Sequence, residues 1–91
     1  MKSTYAPQRD IVVATVDAIK NELRQKVSET RGDFVLDLTG VEMVDSKGIG
    51  LIISTFATLN EKQRGFKVVG TAPDILGLFR SMRMNQHFTI E

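Results

Sequence analysis

The residues best suited to chemistry in this chain lie between positions 40 and 50, in the segment GVEMVDSKGIG. Ser46 stands between Asp45 and Lys47, and two glycines follow. The segment comes where a predicted strand gives way to a predicted helix. A serine at such a junction occurs in phosphate-binding loops, in hydrolases with a nucleophile on a tight turn, and in proteins that are themselves phosphorylated. The surrounding residues must distinguish among these three kinds of site.

A nucleotide-binding loop does not fit this segment. The phosphate loop of nucleoside triphosphatases needs a lysine and a hydroxyl residue after its glycines, whereas Lys47 precedes both Gly48 and Gly50. A dinucleotide-binding fingerprint needs a third glycine where this chain has Ile53. The glycines therefore predict no cofactor site.

A hydrolytic serine is also disfavoured. Ser46 would need a nearby base, and the single histidine, His87, has no acid partner before Glu91. Val44 replaces the first glycine of the G-x-S-x-G turn. Lys47 cannot easily serve as the base, because adjacent residues of a helix point about 100° apart. We therefore predict a protein that is not an enzyme and has no catalytic residue.

The composition narrows the possible partners. The chain has 91 residues, which we interpret as a single domain over residues 1–91. It has no cysteine and one histidine, so neither a disulfide framework nor a multi-histidine metal site is expected. The net charge is +1, with basic and acidic residues interspersed, which disfavours nucleic-acid binding. The expected partners are other proteins.

The chain shows no sign of membrane insertion or export. No apolar run approaches the roughly 20 residues that a membrane-spanning helix needs. The first ten residues, MKSTYAPQRD, lack the apolar centre of a secretory signal. The expectation is a cytoplasmic protein without a membrane span.

Apolar periodicity predicts alternating helices and strands. Residues 12–27 repeat apolar side chains every three or four positions, as a helix does, and Asp10 or Thr15 could cap this helix. Residues 34–38 form a short apolar run typical of a strand buried on both faces of a parallel sheet. Asp37 in this run is expected to accept bonds from nearby backbone groups. The order helix, strand, helix, strand, helix, strand predicts an α/β fold with a largely parallel sheet.

The second helix is predicted over residues 47–63, with Gly65 as the residue that stops it from continuing. One face is expected to be buried, and it consists of Ile49, Ile52, Ile53, Phe56, Ala57 and Leu59. The opposite face is expected to be solvated, and it consists of Ser54, Thr55, Thr58, Glu61 and Lys62. Leu51 falls among these polar positions, so we predict either a scattered surface residue or a contact point for a partner.

The third helix is predicted to begin at Pro73, a residue favoured at the first helical position. Gly77 inside it is expected to allow close approach of a neighbouring element. The buried stripe is predicted to consist of Ile75, Leu78, Phe79 and Met82. The last four residues before Glu91, HFTI, predict a closing strand with His87 at the surface.

Ser46 is thus predicted to lie at the amino-terminal end of the second helix, where Asp45 or Ser46 can cap an unpaired amide. Capping alone does not explain Gly48 and Gly50, which weaken the first turn but remove side chains around the serine. A bare surface beside Ser46 indicates that another protein docks there.

These motifs resemble the signature of the STAS domain, which occurs in bacterial anti-sigma-factor antagonists and at the cytoplasmic ends of sulphate transporters. The resemblance rests on DLTGVEMVDSKGIGLI and continues through FKVVGTAPDILGLFRSMRMNQHFTI. It implies a STAS-like α/β fold, with a mixed, mostly parallel sheet of about four strands and helices packed on it. Only about ten residues precede Ile11, so the amino-terminal strands are expected to be shortened or missing.

The resemblance also implies a function. In the regulatory branch of the family the matching serine, here Ser46, is phosphorylated by a partner that is both an anti-sigma factor and a serine kinase. The unmodified protein binds this kinase, and the phosphorylated protein does not bind until a phosphatase restores it. The expected partner-binding residues are Asp45, Lys47, Gly48, Ile49, Gly50, Leu51, Thr55 and Thr58. Lys47 departs from the family, where a small residue is frequent.

Two alternatives remain open. The domain could be an unphosphorylated STAS subunit of a lipid or anion transport complex, contacting an ATPase through the same surface. It could also be a regulatory module of a sensory or chemotaxis kinase.

Overall fold

The computed structural model describes residues 2–91, within which four short strands form one sheet in the order in which they occur along the chain. The strands are β1 (Lys2–Tyr5), β2 (Asp33–Asp37), β3 (Phe66–Val69) and β4 (Thr89–Ile90). Neighbouring strands pair in parallel throughout. The predicted mostly parallel sheet of about four strands is confirmed, and β1 is the short amino-terminal strand, which the residue pattern alone did not reveal.

In this described part of the chain, three helices connect the strands: α1 (Val16–Glu29), α2 (Ser46–Glu61) and α3 (Pro73–Ser81). A short 3-10 helix, Met84–Gln86, precedes β4. The first helix begins later than predicted because the Thr15 hydroxyl closes a turn before it. This hydroxyl accepts a bond from the Val12 amide at 3.1 Å and donates to the Asp10 carbonyl at 2.7 Å.

The helices cover one face of the sheet. Sequential parallel strands joined by right-handed crossovers place every crossover helix on the same side. The side chains facing them are buried, namely Phe34, Leu36, Phe66, Val68 and Ile90. Val35 points to the other face and is still buried, between its register partners Thr4 and Lys67. The smallest dimension of the domain, 19 Å, agrees with two layers. Strand β2 is therefore buried as predicted, although helices pack on one face only.

Helix α2 is rotated relative to the prediction. Leu51 and Thr55 are each 8% exposed, whereas Ile53, predicted to be buried, is 43% exposed. The prediction that Leu51 and Thr55 face solvent is wrong, because α2 packs against both the sheet and α1, where Leu23 and Val27 are also buried. Contact with two elements widens the buried face of a helix.

Helix α3 also differs from its prediction. Ile75 and Phe79 are buried, but Leu78 and Met82 are 39% and 47% exposed. A Cβ atom on Gly77 would meet nothing within 4 Å, so this glycine does not mediate a close approach. Pro73 is the first residue of the helix, as predicted.

The loop after α2 is held by an arginine. The helix ends at Glu61, and Gln63, not Gly65, adopts the left-handed conformation with φ of 57°. Arg64 then donates to the carbonyl oxygens of Val27 and Gly32 at 3.0 and 2.7 Å. A cation interacts favourably with the negative carboxyl end of a helix dipole. Arg64 therefore links the end of α2 to the end of α1.

Strand β1 is fastened to α1 by side chains. The Tyr5 hydroxyl donates to Glu22 at 2.7 Å, and Arg9 forms an ion pair with the other carboxylate oxygen at 3.0 Å. Burial, and then the bond to Glu22, raise the pKa of Tyr5 well above its usual range. The hydrogen bonds from Tyr5 and Arg9 lower the pKa of Glu22.

Within residues 2–91, none of the helices combines the length and apolar character needed to cross a membrane.

Candidate functional site

Ser46 is the first residue of α2, and its side chain is exposed. The loop between β2 and α2 holds Ser46 in this position because its residues Leu38, Val41 and Val44 are buried. Val44 also forms a parallel β-bridge with Ile11, just before α1. Ser46 therefore lies at the tip of a helix, and both the buried loop residues and the bridge to Ile11 hold the segment that precedes it.

Asp45 is the residue that caps α2. One carboxylate oxygen accepts a bond from the Gly48 amide at 3.0 Å, and the other accepts from the Val13 amide at 2.8 Å. The Gly48 amide, followed by that of Val13, holds the pKa of the Asp45 carboxyl below its usual range. Of the two predicted caps, the structure uses Asp45, which leaves the first residue of the helix, Ser46, facing solvent.

Asp10 supports the same loop from the other side. Its Oδ1 atom accepts bonds from the backbone amides of Glu42 and Met43 at 2.8 and 3.0 Å. The prediction that Asp10 could cap the first helix is wrong, because Thr15 occupies the N-cap position. An aspartate before a predicted helix gives no signal for a contact with a loop 32 residues away.

The two glycines after Ser46 have different roles. Gly48 is buried, and a Cβ atom there would overlap the carbonyl oxygen of Ile11 and lie 2.8 Å from Cγ1 of Val44. Gly50 is exposed, and a Cβ atom there would meet nothing within 4 Å. The predicted bare surface therefore belongs to Gly50, whereas Gly48 is required for packing.

The remaining predicted partner-binding residues separate into two groups. Lys47 and Thr58 are exposed, whereas Ile49 and Leu51 belong to the hydrophobic core. A groove of about 200 Å³ runs between α1 and α2, and its lining includes Leu51, Thr55 and Thr58. These three residues therefore face α1 and not the Ser46 tip, which consists of Asp45, Ser46, Lys47 and Gly50.

The hydroxyl groups of the groove are already used as donors. Ser54 and Thr55 both donate to the carbonyl oxygen of Leu51, at 3.0 and 2.8 Å. Thr58 donates to the carbonyl oxygen of Ser54 at 3.0 Å. Hydroxyls bonded back to their own helix offer no free proton to a ligand.

His87 lies far from Ser46. Its ring is exposed and packs beside Phe56, with 6.0 Å between the ring centroids. Phe56 follows Ser46 by ten residues on α2, which corresponds to roughly 15 Å along the helix axis. The histidine therefore cannot take a proton from Ser46. Among residues 2–91, no three histidine or carboxylate side chains form a group that could hold a metal ion.

Asp37 has the local role predicted from its position at the end of β2. Its Oδ1 atom accepts bonds from the hydroxyl and the amide of Thr39, at 2.6 and 2.9 Å. These bonds, led by the one from the hydroxyl, lower the pKa of Asp37. The carboxylate therefore shapes the turn and is separate from the Ser46 tip.

Comparisons with known proteins bear on the fold and the family of this chain. No curated protein matches the sequence. A crystal structure of a Thermotoga maritima protein, which carries a provisional description as an anti-sigma factor antagonist, matches with a TM-score of 0.88. The alignment covers 96% of this chain and 75% of that chain at 15% sequence identity, so the likeness concerns the fold. The sequence model of the STAS domain matches residues 3–91. The chain therefore belongs to the STAS domain family.

Proposed function

We propose that this STAS domain is an anti-sigma-factor antagonist that acts by partner switching at Ser46. In its unmodified form it binds an anti-sigma factor that is also a serine kinase. Phosphorylation of Ser46 ends that binding, and a phosphatase restores it. The observation that carries the proposal is the exposed Ser46 hydroxyl at the first residue of α2, beside the bare surface of Gly50.

The chemistry of the switch belongs to the partner. The Ser46 Oγ atom attacks the γ-phosphorus of ATP, an O–P bond forms, and the bond from that phosphorus to the leaving ADP oxygen breaks. The hydroxyl proton passes to a base of the kinase, since His87 is remote from Ser46. This domain needs only to present the hydroxyl. An exposed residue at a helix tip meets that requirement.

Phosphorylation would change the charge of the tip without unfolding it. The phosphate adds about 1.5 to 2 negative charges beside the Asp45 carboxylate. Asp45 already occupies the Gly48 amide, so the phosphate would compete with it or project into solvent. Lys47 is exposed and offsets part of the charge. A partner fitted to a neutral hydroxyl would have to bury a dianion, which costs several kcal/mol when unpaired.

The proposal is tested by phosphorylation in an extract of the native cells. The purified protein is incubated with the extract and γ-labelled ATP, and the labelled residue is identified by tandem mass spectrometry. We expect the label on Ser46 and its loss in Ser46→Ala. Ser54→Ala is the matched control, because Ser54 is another exposed serine of α2. Label on a different residue would remove Ser46 from the mechanism, and no label at all would favour an unphosphorylated STAS subunit.

A further inference from the structure

Two exposed apolar side chains flank the Ser46 tip. Val13 is 67% exposed and Met43 is 58% exposed, more than the other large apolar residues found exposed in the described part of the chain. Val13 precedes α1, and Met43 lies in the loop before α2. They come from distant parts of the sequence, and backbone hydrogen bonds hold both segments close to Asp45.

Hydrogen bonds fix both residues in place. The Val13 amide donates to Asp45 at 2.8 Å, and the Met43 amide donates to Asp10 at 3.0 Å. The Ile11 amide donates to the Met43 carbonyl at 3.0 Å, and the Asp45 amide donates to the Ile11 carbonyl at 3.2 Å. The backbone around Ser46 is therefore ordered before any partner arrives. An interface built on ordered loops loses less conformational entropy on binding.

The fold does not require these side chains to be apolar. A single exposed apolar residue is common and needs no explanation. Two of them, on loops that hydrogen bonds hold near the Ser46 tip, place apolar surface where a protein that binds Ser46 would have to pack. Leu78 and Met82 are exposed as well, but they lie toward the carboxyl end of α3, at the opposite end of the sheet from the start of α2.

We propose that Val13 and Met43 are the apolar anchors by which the Ser46 kinase binds this domain. The inference rests on the proposed function and adds the chemistry of the partner. The facing surface of the kinase is apolar opposite Val13 and Met43 and carries a carboxylate opposite Lys47. That carboxylate would be attracted to Lys47 in the unmodified protein and repelled by phosphate on Ser46. Asp10 and Asp45 are positioning residues, because they hold the two loops through backbone amides.

The test uses the kinase purified by its labelling of Ser46. Its dissociation constant is measured by isothermal titration calorimetry for two double variants, Val13→Ser with Met43→Ser and, as the matched control, Leu78→Ser with Met82→Ser. We expect the first pair to weaken binding by about tenfold or more, as loss of two anchors would. The control pair should bind within about twofold of the unmodified protein, and Lys47→Glu should weaken binding.

The outcomes separate this inference from the proposed function. Equal affinities for the two double variants, with binding still lost in Ser46→Asp, would overturn the anchors and leave the switch intact. Absence of any kinase that labels Ser46 would overturn both. A concentration-dependent dimer that the Val13 and Met43 substitutions dissolve would assign the patch to a second copy of this chain and overturn the inference. Circular dichroism checks that each variant is folded. Met43→Gln keeps the size of the side chain and removes its apolar character, so binding lost in this variant does not reflect lost folding.

Discussion

Asp45 joins two segments of chain with its two carboxylate oxygens. One oxygen completes the first turn of α2 through Gly48, and the other holds the loop before α1 through Val13. This double use explains why an aspartate adjoins the serine. Asparagine or serine offers only one acceptor oxygen, so the amides of Gly48 and Val13 would have to share it.

The Asp45 carboxylate should make stability depend on pH. Because its pKa is lower in the folded protein, the unfolded chain binds the proton first as the pH falls. The stabilisation is therefore present above the ordinary aspartate pKa of about 3.9 and is lost progressively as the pH falls from there through the lowered pKa of the folded protein. Urea unfolding at pH 7 and pH 3 should show a smaller acid-induced loss of stability in Asp45→Asn than in the unmodified protein.

Glu42→Gln is the matched control for this measurement, because Glu42 is an exposed carboxylate of the same loop. It should change the acid-induced loss less than Asp45→Asn does. An Asp45→Asn protein that loses as much stability as the unmodified one would show that the carboxylate does not hold the two segments in solution.

At the scale of the element, the start of α2 combines one glycine needed for packing with one that leaves the surface bare. Gly48→Ala places a methyl group against the Ile11 carbonyl and Val44, and overpacking of this kind costs about 1–3 kcal/mol. Gly50→Ala meets no neighbour, and alanine raises helix propensity by up to about 1 kcal/mol. Thermal unfolding should therefore show opposite shifts for the two variants. Destabilisation by Gly50→Ala would contradict the open space found there.

Local signals made the elements and the Ser46 tip predictable. Strand β2, the start of α3 at Pro73 and the capping of α2 depend on residues close in sequence, and the structure has all three. The rotation of α2 could not be predicted, because periodicity identifies an apolar face but not which second element packs against it. Leu51 is buried by α1, which lies far away in the sequence.

The support of the site by Asp10 could not be predicted either, because it too depends on residues far apart in the sequence. The bonds that Asp10 accepts from the loop before Ser46, like the one that Asp45 accepts from the Val13 amide, span more than thirty residues. No short motif encodes them. Strand β1 likewise lacks apolar alternation in KSTY and forms because β2 offers it a parallel edge.

At the scale of the whole molecule, the architecture places the amino-terminal ends of its helices at one edge of the sheet. Parallel strands with helices on one face return each helix start to the carboxyl ends of the strands. The Ser46 tip, Val13 and Met43 all lie at this edge, while the groove between α1 and α2 runs down the side. A modification at the tip therefore acts on surface recognition and requires no rearrangement of the core.

The most direct test compares the affinity of the Ser46 kinase for the unmodified domain and for the domain carrying phosphoserine at position 46. We predict that the dissociation constant of the phosphorylated form is at least about tenfold higher. The circular dichroism spectra of the two forms should match. Equal affinities would contradict the account, since the charge on Ser46 would then not decide whether the partner binds.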